Sequence, residues 1–94
     1  MYKVVLDKKA LKAFEKLPKH VVKGFRDKFE KLAHDPYVMA GVDTIKSPKS
    51  IGLPVEIAYR IRVTDYRAIY TIMDDIITIV VLDIEHRSEA YKKK

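Results

Sequence analysis

With 94 residues the chain is long enough for one domain, spanning 1–94, and too short for two. Its 48% hydrophobic and 34% charged content excludes a disordered chain, and the absence of cysteine excludes a disulfide framework, a thiolate metal site and a cysteine nucleophile. A net charge of +6 favours polyanions such as nucleic acid, or an acidic protein partner; a merely solubilising basic surface carries the same charge.

Lys3 to Leu6 is a short strand candidate, and Asp7 after it has the chemistry of a helix N-cap. The N-terminal run meets a charge too soon for a signal peptide, and the longest apolar stretch, Ile76 to Leu82, is too short to span a bilayer, so a soluble cytoplasmic protein is expected. Ala10, Leu11, Phe14 and Leu17 recur at helical spacing with lysines between them. Pro18 ends that helix and suits the first turn of another, whose apolar stripe is Val21, Val22, Phe25, Phe29, Leu32 and Ala33. Gly24 weakens this second helix slightly, and Asp35-Pro36 stops it. Residues 7–35 therefore read as a helical hairpin with one apolar face.

Residues 36–55 hold three of the four prolines and two of the three glycines and read as loop, with at most a short strand near Val42 to Lys46. From Glu56 the period changes to two. Ile57, Tyr59, Ile61 and Val63 fall on one strand face, and Glu56, Ala58, Arg60 and Arg62 on the other. Thr64-Asp65 suits a tight turn, Tyr66 to Met73 the next strand, Asp74-Asp75 another turn, and the nearly apolar Ile76 to Ile84 a strand covered on both faces. The expected fold is α+β, in the order βααβββ. A helical hairpin packs on one face of a small, largely antiparallel four-stranded sheet.

The basic residues divide by type. Residues 1–35 carry nine lysines and one arginine, Arg26, whereas the strands and their exit carry Arg60, Arg62, Arg67 and Arg87. Lysine on a helix surface gives solubility and helix propensity; arginine is a planar fork that grips phosphate in fixed geometry. Arg60 and Arg62 share a strand face about 7 Å apart by strand rise, and Arg67 opens the partner strand, so all three reach one side of the sheet if the turn is tight. The same alternation also describes an ordinary exposed sheet face. The exit of the last strand reads Glu85-His86-Arg87-Ser88-Glu89-Ala90-Tyr91. The unperturbed pKa of histidine, about 6.5, suits proton transfer at neutral pH, and a tyrosine is able to stack on a base. A frayed polar C-terminus has the same composition.

The run Ala58-Tyr59-Arg60-Ile61-Arg62-Val63-Thr64-Asp65-Tyr66-Arg67-Ala68-Ile69-Tyr70 closely resembles the central hairpin of RelE/ParE-superfamily toxins, and His86-Arg87-Ser88-Glu89-Ala90-Tyr91 resembles the H-R-x-x-x-Y ending of the RelE-like members. The resemblance extends over nearly the whole chain and is weakest in residues 36–55. It implies the toxin of a type II toxin–antitoxin system that cleaves messenger RNA in the ribosomal A site, with no metal or cofactor. In that reaction a ribose 2′-hydroxyl attacks the adjacent phosphate, leaving a 2′,3′-cyclic phosphate and a 5′-hydroxyl. Arg60 and Arg62 then match a basic pair, often lysines, before the turn, and Arg67 matches the arginine at the scissile phosphate. His86 matches an acid–base group and Tyr91 a stacking tyrosine, with Arg87 and Lys46 as further RNA contacts. Glu85 departs from the family by standing where some members have arginine, and either lowers activity or acts as general base. Proton transfer is expected at His86 with help from Glu85 or Glu56, and phosphate charge is met by the arginines. The resemblance also implies a cognate antitoxin as partner. Two other functions fit the same sequence: a ParE-like inhibitor of DNA gyrase, and a catalytically weak relative acting as a binding or corepressor protein.

Overall fold

The structure is a computed structural model and describes residues 1–37, 43–45, 49 and 52–86. The chain runs β1 (Lys3–Leu6), α1 (Lys8–Glu15), α2 (Lys19–His34), β2 (Asp43–Ile45), β3 (Ala58–Val63), β4 (Tyr66–Met73) and β5 (Thr78–His86). The Asp7 carboxylate caps α1 by accepting from the Lys8 amide at 2.8 Å. Pro18 sits at the N-cap of α2, one position before the expected first turn, and its carbonyl accepts from Val21 and Val22. No helix among the described residues is long and apolar enough to cross a membrane.

The sheet has five strands in the order β1-β5-β4-β3-β2, one more than the four read from the sequence. The addition is β2, which pairs antiparallel with β3 through Asp43↔Arg60, Thr44↔Tyr59 and Ile45↔Ala58. Three residues are too few for alternation to declare a strand, so its existence rests on pairing. β1 lies parallel to β5, and the other pairs are antiparallel. The last strand starts at Thr78, two residues later than its apolar composition suggests. Asp74–Ile76 form a 3-10 turn, Ile77 adopts φ 49°, and both isoleucines are exposed.

Both helices cover one face of the sheet. Ala10, Val21, Phe25, Phe29 and Leu32 interlock with Ile61, Ala68, Tyr70, Ile79, Val81 and Ile84. Each fully buried large side chain contributes roughly 1.5–3 kcal/mol of transfer free energy. Gly24 marks the crossing of α2 over β3: a Cβ there would lie 2.6 Å from Val63 Cγ1, so the weak helix former allows close approach. The opposite face carries a smaller cluster of Ile45, Ala58 and Ile69, with Leu53 and Val55 packed against it.

At the β4–β5 turn, Asp74 accepts from two tyrosine hydroxyls, Tyr2 at 2.5 Å and Tyr37 at 2.6 Å. These bonds tie the start of the chain and the exit of α2 to the far end of the sheet. They hold the Asp74 carboxyl below its ordinary pKa, and the carboxylate in turn pushes the Tyr37 hydroxyl up to about 12.

Candidate nucleic-acid interface

The site lies at the other end of the sheet, beside the β3–β4 turn. Thr64 takes a left-handed conformation (φ 51°), which closes a two-residue turn and sets β3 and β4 in tight register. In that register Arg62 stands opposite Arg67, and Arg67 stands opposite Glu85. Directly opposed residues share a sheet face about 4.5–5.5 Å apart between Cα atoms. Arg62, Arg67 and Glu85 therefore form a row across three strands, and Arg60 lies one strand period behind Arg62 on the same face. A β-bulge makes the β5 half of this alignment: Ile69 pairs with Asp83 but Tyr70 with Val81, leaving Leu82 as the extra residue.

Two like charges directly opposed in a sheet destabilise each other. Arg62 and Arg67 are so placed, and the Glu85 carboxylate stands opposite Arg67 on the next strand. Arg60 is half-buried beside the Ile45–Ala58–Ile69 cluster, and its Nε is shielded from solvent without a hydrogen-bond partner among the described residues. A buried donor in that condition costs about 1–3 kcal/mol until an acceptor arrives. The exposed Arg62 carbonyl accepts from Lys28 Nζ at 2.6 Å, which brings a lysine of α2 to the rim. The face thus gathers three guanidinium groups and one carboxylate at this end of the sheet.

His86 is on the other side. It pairs with Tyr66 in the register, and the two rings meet edge to face with centroids 4.7 Å apart. Both line a groove of about 500 Å³ between α1 and the β4–β5 pair. The structure brings Arg60, Arg62, Arg67 and Glu85 together on one face and sets His86 on the opposite face, one residue along the same strand. Glu56 lies two residues before β3 and makes an exposed ion pair with Lys49 at 2.7 Å, apart from the arginine row. Lys46, Arg87 and Tyr91 lie outside the described residues.

Sequence reasoning passed over Asp83, a buried carboxylate that accepts from its own neighbour's amide, Ile84 N, at 2.8 Å and pairs with Lys9 at 3.3 Å. The available signal was a single charge inside an otherwise apolar run. The lysines of α1 that wall the groove carried no signal, because surface lysines at helical spacing are ordinary.

Residues 4–91 match the family described as the ParE toxin of the type II toxin–antitoxin system parDE. The chain belongs to this toxin family. No curated protein sequence matches it. Among solved structures, it is similar to a chain of the archaeal RelE–RelB complex from Pyrococcus horikoshii OT3, with 27% identity over 92% of this chain and 94% of that one and a TM-score of 0.73. The isolated Escherichia coli RelE toxin shares the fold at 24% identity, covering 99% of this chain and 98% of that one with a TM-score of 0.72. So does a chain of the RelBE2 toxin–antitoxin complex of Mycobacterium tuberculosis, at 24% identity, 92% and 98% coverage and a TM-score of 0.63. The α+β fold expected from the sequence is therefore shared with these proteins, and this chain's sheet holds five strands where the sequence suggested four.

Proposed function

We propose that this toxin is a ribosome-dependent endoribonuclease that cuts messenger RNA in the A site without a metal. The observation that carries the reading is the row Arg62, Arg67 and Glu85 across three strands, with the orphaned Nε of Arg60 behind it. Arg67 holds the scissile phosphate, Arg62 and Arg60 meet its other oxygens, and the three disperse the charge of the pentavalent phosphorus. Glu85, on the same face, accepts the proton of the ribose 2′-hydroxyl. The 2′-oxygen bonds to phosphorus, the bond from phosphorus to the 5′-oxygen breaks, and the leaving oxygen takes a proton from water. Products are a 2′,3′-cyclic phosphate and a 5′-hydroxyl. The sequence resemblance favoured His86 for proton transfer; the register favours Glu85, because His86 belongs to the face behind the arginines. Tyr91, Arg87 and Lys46 retain the stacking and RNA-contact roles that the resemblance implies.

The RelE–RelB complexes of Pyrococcus horikoshii and Escherichia coli support a cognate antitoxin as partner; in our reading an acidic segment of that partner covers basic surface of this chain, and both act in the cytoplasm. The test is primer extension on ribosomes stalled with an open A site, followed by end-group analysis of the fragments. A cut that bears a 2′,3′-cyclic phosphate and disappears with Arg67→Ala is the expected result.

A second reading, inhibition of DNA gyrase, is favoured by the match to the ParE family. A third, a weak relative acting as a corepressor, is favoured by Glu85 standing opposite Arg67, where it offsets the charge that would bind phosphate. A supercoiling assay separates the second from the first, and inactivity in both assays leaves the third.

A further inference from the structure

The groove behind the arginine face has its own charge and its own aromatic floor. Lys9 and Lys12 of α1 and Lys16 at its C-cap fall at helical spacing, spanning about 10 Å along the helix axis, and form one wall; Tyr66 and His86 lie across from them. Lys9 is committed to the groove's carboxylate, Asp83. Lys12 and Lys16 are exposed, and neither is ion-paired among the described residues. The aliphatic part of the wall, Ala13 and Leu17, gives the lysine stems an apolar bed from which the ammonium groups project. Two uncommitted cations beside an edge-to-face aromatic pair form the combination that binds single-stranded nucleic acid, with charge following the backbone and rings accepting bases.

The groove also adjoins the candidate active face. Tyr66 precedes Arg67 on β4, and His86 follows Glu85 on β5, so the two surfaces lie back to back at the same end of the sheet. We propose that the α1–β5 groove is a second RNA site, which holds nucleotides flanking the cleaved step as the strand bends around the end of β4 and β5. Lys12 and Lys16 each engage a phosphate, and a base lies against the Tyr66–His86 pair. The role of His86 is then to bind the strand rather than to move a proton. The proposal rests on the reading of the opposite face as an RNA-cleaving site, and it assigns RNA contacts to α1, where sequence and resemblance placed none.

The test uses the full chain and a fluorescent 12-nucleotide RNA made uncleavable by 2′-O-methyl groups. Affinity is measured by anisotropy across salt concentration for the parent, for Lys12→Gln/Lys16→Gln and for Arg62→Gln/Arg67→Gln. Each phosphate contact on a single strand contributes about −0.7 to the slope of log affinity against log salt, so losing two contacts flattens it by about 1.4. The proposal expects that flattening in the lysine variant. An unchanged slope there, with a flattened slope in the arginine variant, overturns the groove site and leaves the cleavage reading standing. Flattening in the lysine variant alone keeps the groove and removes the arginine face as an RNA site. No binding by the parent overturns both. If a glutamate-rich peptide binds with lysine-dependent affinity while the RNA slope is unchanged, the groove is a protein site and the proposal is wrong.

Discussion

Arg67 and Glu85 face each other across β4 and β5, and the bulge at Leu82 sets that register. In the proposed reaction the carboxylate beside Arg67 is either a proton acceptor or a brake, and the two roles differ in one substitution. Glu85→Gln removes the proposed base and the negative charge together while keeping the shape. Loss of a general base costs roughly 10²–10⁴ in rate. The variant is therefore expected to cut at least about 100-fold more slowly while binding uncleavable RNA no more weakly than the parent. Single-turnover cleavage and anisotropy read the two quantities separately. Faster cleavage in the variant would identify Glu85 as a brake.

Gly24 lies under Val63 with no room for a methyl group, since a Cβ would sit 2.6 Å from Val63 Cγ1. Helix propensity alone would make Gly24→Ala stabilising by about 1 kcal/mol, and overpacking a close crossing costs about 1–3 kcal/mol. The expected net result is a loss of about 1 kcal/mol by urea denaturation. In a Val63→Ala background the clash is gone, and the same substitution is expected to become neutral or stabilising. Equal losses in both backgrounds would rule out the contact as the cause.

Tyr70 is fully buried, and its hydroxyl has no hydrogen-bond partner among the described residues; burial pushes its pKa upward. An unsatisfied buried hydroxyl costs about 1–3 kcal/mol, and removing it leaves the ring in place. Tyr70→Phe is expected to raise stability by about 1 kcal/mol, a rise of about 4–8 °C in the melting temperature of a domain this size. A fall in melting temperature would mean that the hydroxyl is bonded in solution.

The Asp74 clamp makes a prediction about pH. The carboxyl pKa is lowered by the Tyr2 and Tyr37 hydroxyls, so its contribution is present above the ordinary value of 3.8 and lost as pH falls through the lower folded value. Tyr37 is raised from 10.0 to about 12, so its contribution is full below 10 and lost as pH rises toward 12. Asp74→Ala should melt below the parent by a constant interval between pH 5 and 9, and the interval should shrink at either extreme. A constant interval down to pH 2 would contradict the assignment.

The helical hairpin was legible because Ala10, Phe14, Val21, Phe25 and Phe29 repeat at helical spacing and Asp7 and Asp35-Pro36 mark its limits. The β3–β4 hairpin was legible because alternation and a two-residue turn determine each other. Ile76 and Ile77 misled in the opposite sense. Their composition suggests strand, but the preceding aspartates start a 3-10 turn that turns both side chains outward. The arginine row could be read as soon as the turn length was known, since Arg62 and Arg67 then oppose each other. The separation of Glu85 from His86 needs only alternation along β5. It was missed because resemblance grouped the two by sequence neighbourhood, whereas a strand sends neighbours to opposite faces. The lysine-walled groove was illegible, because nothing in α1 says which of its faces meets β5.

The most direct measurement is primer extension on messenger RNA in ribosomes stalled with an open A site, comparing the parent with Arg67→Ala, Glu85→Gln and His86→Gln. The expected result is a new cut within the A-site codon, abolished by Arg67→Ala, slowed at least about 100-fold by Glu85→Gln, and retained by His86→Gln at saturating protein. A cut that survives Arg67→Ala, or no cut with any message, would contradict the arginine row as the site of RNA cleavage.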